Sequence, residues 1–354
     1  MKIQGKQIIQ DTYILIDRKL KNLGMETFLG IKIRNMKKSY LAIALLILLG
    51  TFSGNAQQDP QYTQYMYNTQ VVNPAYAGSR DVLSIGLLYR TQWVNLDGSP
   101  KTATLTGDSP IGNNMGLGLT FVRDEIGPST RSNITVDYSY SINVSDNSKL
   151  AFGVKGGMDI LDVNFSDLNL PGGVVPDDPN FQNPIDNKLD PQIGAGIYFN
   201  TDRFYAGLSV PNFLNTKHFE QSDIVSPDPD NPVDVTTAAD RMHYFFIAGY
   251  VFDLSDNVKF KPATMFKMVA GSPLQADVSA NFLFYEKFTA GVSYRWSAAV
   301  SAMVGFQVAD PIFIGFGYDF DTTDISSYSG GSYEFMLRFD VFNKPERVLT
   351  PRFF

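Results

Sequence analysis

The sequence predicts an all-β protein: a transmembrane antiparallel β-barrel of about 14 strands, with an N-terminal segment in its lumen. Three observations lead there. Along residues 133–144 every even position is large and apolar or aromatic and every odd position is polar. That is the period-two signature of a strand with one greasy and one wet face, and it returns along 288–296, 312–320 and 333–340. Charged residues within such segments keep to the wet face. The gaps between segments alternate between short and long, as the two rims of an outer-membrane barrel do.

The elements follow in order. Residues 1–35 read as a leader created by a misplaced start, with Met36 the natural one. Residues 36–56 read as a secretory signal peptide. Lys37 and Lys38 precede an apolar run over 40–49, and Gly54-Asn55-Ala56 supplies small residues for cleavage. The run is too short to cross a bilayer as a helix.

Residues 57–80 read as a plug. A fourteen-stranded barrel is wider than its own side chains fill and narrower than an open porin, so something should occupy it. Asp59-Pro60 suits a helix start, with Asp as cap and Pro in the first turn. Tyr62, Tyr65, Met66 and Tyr67 follow at near-helical spacing, Asn73-Pro74 opens a second turn, and Gly78 ends it. The segment is aromatic, polar and nearly uncharged, which suits a wet lumen.

The barrel is expected over 81–342, with strands at 82–94, 101–108, 114–123, 132–144, 149–162, 191–200, 202–210, 242–253, 257–267, 274–285, 287–296, 299–308, 311–320 and 332–342. Pro262 weakens the ninth, since proline gives a ladder no donor; a bulge would accommodate it. The longest connections, 163–190 and 211–241, and the moderate ones, 124–131 and 321–331, share one parity. Arg90, Asp137, Lys155, Asp159, Arg203, Lys259, Lys261, Lys267, Asp277, Arg295, Asp319, Glu334, Arg338 and Asp340 are assigned to wet faces. On the lipid face a Lys or Arg at the midplane would cost roughly 2–4 kcal/mol. A soluble β-sandwich also alternates, but it would need fewer aromatics on its covered face and no signal peptide. Aromatics make up 13% of the chain, enough for girdles at both membrane interfaces. The mean hydropathy of −0.10 argues against a helical membrane protein and not against a barrel. The tail 343–354 holds two prolines, so it does not continue the last strand. By parity it is periplasmic, and Arg347, Pro351, Arg352, Phe353 and Phe354 suit a short docking peptide.

The same residues bound the chemistry. There is no Cys, which excludes disulfides, a Cys-linked lipid anchor and thiol catalysis. With His218 and His243 the only histidines, a zinc site is not expected. No nucleophile elbow, zinc-protease motif, P-loop or dinucleotide fingerprint occurs. A lipid hydrolase pairing one of the two histidines with a Ser is an alternative, the plainer reading being polar residues near a barrel rim. Residues 228–234, and Asp177 and Asp178 with Asp186 and Asp190, are dense enough in carboxylates to suggest calcium. Their prolines and missing Gly exclude an EF-hand loop, and solvated acidic loops are expected. No catalytic residue, metal or cofactor is assigned. Removing 1–56 takes away nine of 29 basic and three of 36 acidic side chains, leaving 20 − 33 = −13, which disfavours nucleic acid as a partner.

One resemblance adds to this reading. The runs Asp59-Pro60-Gln61-Tyr62-Thr63-Gln64-Tyr65-Met66-Tyr67-Asn68 and Asn73-Pro74-Ala75-Tyr76-Ala77-Gly78-Ser79 resemble the opening of the PorP/SprF family. Tyr89-Arg90-Thr91-Gln92-Trp93, Gly98-Ser99-Pro100-Lys101-Thr102, Gly116-Leu117-Gly118 and Pro351-Arg352-Phe353-Phe354 extend it across the mature chain. The resemblance implies an outer-membrane component of the type IX secretion system of Gram-negative bacteria, which serves protein export and gliding motility. It implies secreted proteins, held through their C-terminal domain, as partners, alongside other secretion components and outer-membrane lipid. A non-enzymatic secretion accessory is therefore the expected function. The alternative is a porin or small-solute transporter, whose mixed-charge lumen would use Arg90, Asp137, Arg295, Glu334 and Arg338.

Overall fold

The computed structural model describes residues 61–164, 185–214 and 241–341. These form strand segments β1 (Leu83–Thr91), β2 (Lys101–Pro110), β3 (Met115–Ile126), β4 (Ser129–Ser145), β5 (Ser148–Val163), β6 (Ile185–Thr201), β7 (Phe204–Val210), β8 (His243–Tyr250), β9 (Phe252–Ser255), β10 (Val258–Val269), β11 (Gln275–Phe284), β12 (Phe288–Arg295), β13 (Ala299–Ala309), β14 (Ile312–Asp321) and β15 (Ser332–Val341). All pairings are antiparallel and, apart from the one that closes the ring, join chain neighbours, except that β8 pairs with β10 and not with β9. β8 and β9 are two halves of one strand, both paired with β10 in a common register, Ala263↔Gly249 and Phe260↔Phe252. Fourteen strands result. β15 pairs back onto β1 from Leu83↔Val341 to Thr91↔Tyr333 and closes the ring.

The break between β8 and β9 explains Pro262. The register sets Lys261 and Pro262 opposite Val251 and Tyr250, where the ladder is interrupted. The missing proline donor falls at that gap, while the pairing of Pro262 with Ala280 in β11 is kept. No bulge occurs at Pro262; the register slips farther on, between Val258 and Lys259.

The two rims differ. One carries the turns at 111–114, 146–147, 202–203, 256–257, 285–287 and 310–311. The other carries 92–100, 127–128, 164–184, 211–242, 270–274, 296–298 and 322–331, and so every long connection. The expected loop at 124–131 shrinks to Gly127-Pro128, and the sixth strand begins at Ile185 rather than 191. β4, β5 and β6 have 17, 16 and 17 residues. At ~3.3 Å per residue that is about 55 Å, far more than an apolar band of about 25 Å needs even when tilted. These strands run on past the band at the long-connection rim. Polar residues there (Ser129, Thr130, Arg131) hide the start of the strand from a reading based on hydrophobic alternation. Beside this extension, at the same rim of β3, Arg123 and Glu125 pair at 2.8 Å on the outward face, both half exposed.

Below that level the outward face is apolar. Val136, Tyr138, Tyr140, Val292, Tyr294, Val304 and Phe316 are exposed, while the intervening Asp137, Ser139, Ser293, Ser301 and Asp319 are buried. A file of rings, Tyr250, Phe252, Phe260, Phe282, Phe284 and Phe288, lies at the short-turn end, with successive centroids 4.5–6.3 Å apart. Phe316, Tyr318 and Tyr333 group at the other end. Arg203 departs from its assigned place. It lies in the turn between β6 and β7, exposed and paired with Asp253 at 2.6 Å, because the strand before it ends at Thr201. No described helix is long and apolar enough to cross a membrane.

Candidate functional site

The buried charges and the segment that leads into β1 meet in the lumen. Residues 61–79 lie inside the ring. Tyr62, Thr63, Gln64, Tyr65, Met66, Asn68, Asn73, Pro74, Ala75 and Tyr76 are all buried. The near-helical spacing of the aromatics does not yield one helix. Residues 63–67 form turns, Thr69–Val72 a single helical turn and Pro74–Tyr76 a 3-10 turn. The reason is where the backbone donors go. Thr63 and Gln64 give their N–H groups to the Glu334 carboxylate, at 2.9 and 2.8 Å, instead of to a helix. Asn73 caps the 3-10 turn by accepting the Ala75 N–H at 3.0 Å. Gly78 follows at φ +73°, where a side chain would be strained and would meet the Cα of Gly116.

A buried ionic cluster holds the leading end. Arg90 donates to Asp319 at 2.6 Å and to Glu334 at 3.2 Å. Its other contact is the Thr63 hydroxyl at 2.9 Å, and that hydroxyl in turn donates to Asp319 at 2.6 Å. Arg295 joins through Asp277 at 2.9 Å and reaches Asp319 at 3.7 Å. Charges taken out of water need this density of partners, or their desolvation outweighs the attraction between them. The middle is held by Gln70, which donates to Asp137 at 3.3 Å, itself paired with Lys155 at 2.9 Å. Asn73 donates to the Ile197 carbonyl at 3.1 Å, and Ser209 donates to the Val72 carbonyl at 2.6 Å. At the trailing end Ser139 donates to the Ala77 carbonyl at 2.7 Å. The Gly78 N–H donates to Asp108 at 2.8 Å, and Arg80 pairs with Asp340 at 2.7 Å.

The wall is hollowed to fit. A Cβ on Gly153 would stand 2.2 Å from the Ala75 nitrogen, one on Gly116 2.1 Å from the Ala77 carbonyl oxygen, and one on Gly196 2.1 Å from Asn73 Oδ1. Tyr76 packs edge-on against Tyr198 of β6, with centroids 5.5 Å apart. Lys261 lies 5.1 Å from the Tyr67 ring centroid. Three cavities between the segment and the wall measure about 80, 40 and 10 Å³ and share no lining residue. The one of about 80 Å³ is bounded by Tyr62, Val71 and Val72 of the segment and by Arg131, Asp159 and Gln192 of the wall. Spaces of this size hold a few waters.

The structure therefore brings Arg90, Asp137, Lys155, Asp159, Arg295, Glu334 and Arg338 to the lumen, with Gln61, Tyr62, Gln64, Tyr65, Asn68, Asn73, Pro74, Ala75, Tyr76 and Gly78 among them. Arg338 lies 5.0 Å from the Phe313 ring centroid and 3.4 Å from Asp340. Asp159 pairs with Arg131 at 2.6 Å. His243 is buried at the start of β8, edge-on to Phe245 at 6.3 Å. Asp59, Pro60, His218, Asp177, Asp178, residues 228–234, Pro351, Arg352, Phe353, Phe354 and the segments 1–35 and 36–56 lie outside the described residues. Thr63, Gln70 and Arg80 are anchors that sequence reasoning did not single out. Only the threading of the segment gives those side chains a role.

The model of one family, described as the type IX secretion system membrane protein PorP/SprF, matches residues 54–339. No curated protein matches the chain. Among solved structures, the Acinetobacter baumannii outer membrane protein Omp33 is 7% identical, over 74% of this chain and 100% of its own, with a TM-score of 0.43. A Pseudomonas aeruginosa FadL homologue is 14% identical over 81% and 96%, with a TM-score of 0.41. The Ralstonia pickettii toluene transporter TbuX is 9% identical over 78% and 92%, with a TM-score of 0.44.

Proposed function

Since the chain belongs to the PorP/SprF family of type IX secretion system membrane proteins, we propose that it is a non-enzymatic outer-membrane accessory of that system. In this reading it assists the secretion or surface attachment of proteins that carry a specific C-terminal domain, including clients of the gliding and adhesin type. It sits in the outer membrane of a Gram-negative bacterium with its long connections outward. Its short turns and its tail 343–354 face the periplasm and the other secretion components.

One observation carries the proposal beyond the family: the lumen is filled by the chain's own residues 61–79, gripped along their length by the wall. The segment takes up space that a solute path would need, and the cavities beside it measure about 80, 40 and 10 Å³. What the fold does offer a partner is its rims, above all the extension of β4–β6 beyond the apolar band.

Deleting the gene is expected to abolish surface display of a particular large protein while leaving other exported proteins in place. That client should co-purify with the barrel from detergent-solubilised outer membrane. Unchanged display of every surface protein would overturn the proposal. A small-solute transporter is the rival reading, supported by the mixed-charge lumen. Steady conductance of the intact protein in a planar bilayer would favour the rival.

A further inference from the structure

The contacts of the luminal segment, taken in order, give its path. Gly78 and Arg80 hold Asp108, eighth of the ten residues of β2, and Asp340, ninth of the ten of β15. Both stand at the short-turn rim, where β1 begins. Asn73 and Gln70 touch the middle of the wall, at Ile197 of β6 and at Thr120 and Asp137 of β3 and β4. Thr63 and Gln64 reach Asp319, third from the end of β14, and Glu334, third residue of β15. Tyr62 bonds Thr104, fourth residue of β2. Gln61 donates to Gln275, the first residue of β11. All of these last partners belong to strand ends at the long-connection rim.

We infer that the segment threads the whole lumen and delivers its leading end, Gln61, to the long-connection rim. This is the opposite face of the membrane from the one at which β1 starts. Gln61 is half-buried, whereas Tyr62 to Met66 below it are fully buried, as expected of a chain emerging at a mouth. A polypeptide partner at that mouth can grasp the plug by its leading end without crossing the membrane, and so can draw it from its seat. The threading stands on the contacts alone. That this mouth faces the cell exterior rests on the orientation in the proposed function.

The chain has no native cysteine, so single cysteines can be read without background. Three full-length variants would be treated with a membrane-impermeant sulfonated maleimide, in intact cells and after outer-membrane permeabilisation. Gln61→Cys reports the leading end. Tyr328→Cys, at an exposed position after β14, reports the long-connection rim. Asp256→Cys, in the exposed turn between β9 and β10, reports the short-turn rim. We expect Gln61→Cys to label to the same extent as Tyr328→Cys in intact cells, and Asp256→Cys only after permeabilisation. Gln61→Cys following Asp256→Cys overturns the threading, and so does a Gln61→Cys that stays unlabelled in both conditions. Tyr328→Cys protected and Asp256→Cys labelled in intact cells would reverse the orientation. Gln61→Cys would still have to follow Tyr328→Cys. An epitope inserted immediately before Gln61, read by antibody on intact cells, repeats the test without altering a luminal side chain.

Discussion

At the scale of single residues, the lumen is held by charges that lie far apart in the chain. Arg90 and Asp319 are 229 positions apart, yet closure of the barrel brings them to 2.6 Å. Replacing Arg90 with Met would leave Asp319 and Glu334 buried together without their shared cation. Breaking a buried pair from one side destabilises by about 3–5 kcal/mol. We therefore expect Arg90→Met to lower the temperature at which the detergent-solubilised barrel loses its heat-modifiable mobility on gels. The charges themselves were legible in the sequence, because alternation alone sends Arg90, Asp319 and Glu334 to the wet face. Who meets whom was not, since the ring sets it and no local pattern encodes it. Glycine adds a second test. A valine at position 153 would drive its Cβ into the backbone at Pro74 and Ala75, which cannot yield as a flexible side chain does. Gly153→Val should fold as a barrel with its plug unseated, seen as protease sensitivity of the N-terminal segment and as new conductance.

At the scale of elements, fourteen strands were readable because each buries one face and leaves the other to lipid, so the period survives in every one. Their ends were readable only while alternation lasted. Beyond the apolar band the extension of β3–β6 is held by ladder bonds between polar residues, and the sequence there looks like a loop. The turns of the plug were misread for a related reason. Aromatic spacing suggested a helix, but a carboxylate supplied by β15 takes the backbone donors that a helix would use. Within the band the chemistry is strict. Val292 stands on the lipid face of β12 and is more than half exposed to whatever surrounds the barrel. Val292→Lys should destabilise the protein in bilayers by roughly 2–4 kcal/mol if it lies near the midplane. Arg295→Lys, on the luminal face, keeps a cation beside Asp277 and avoids the lipid-face penalty, so it should cost less. Denaturant titration of both variants refolded into vesicles reads the difference.

At the scale of the whole molecule, the decisive quantity is the outward apolar surface. Leu87, Tyr89, Leu119, Val154, Ile193, Leu208, Val278, Val292 and Phe320 are each more than two-fifths exposed, and they lie on strands all around the ring. Soluble monomers rarely present apolar patches beyond a few hundred Å², and a continuous belt far exceeds that. No water-soluble arrangement of this barrel hides it, because the other face of every strand is already occupied by the polar lumen and its plug. The polypeptide freed of residues 1–56 should therefore aggregate when refolded in plain buffer. In detergent it should run as a single monodisperse species with the strand content of the barrel, by sedimentation and circular dichroism. A polypeptide that stays dissolved and monomeric in buffer would mean that protein, not lipid, covers the Tyr- and Phe-rich face. In that case the rims, the threading and the secretion role would all lose the membrane that gives them two sides.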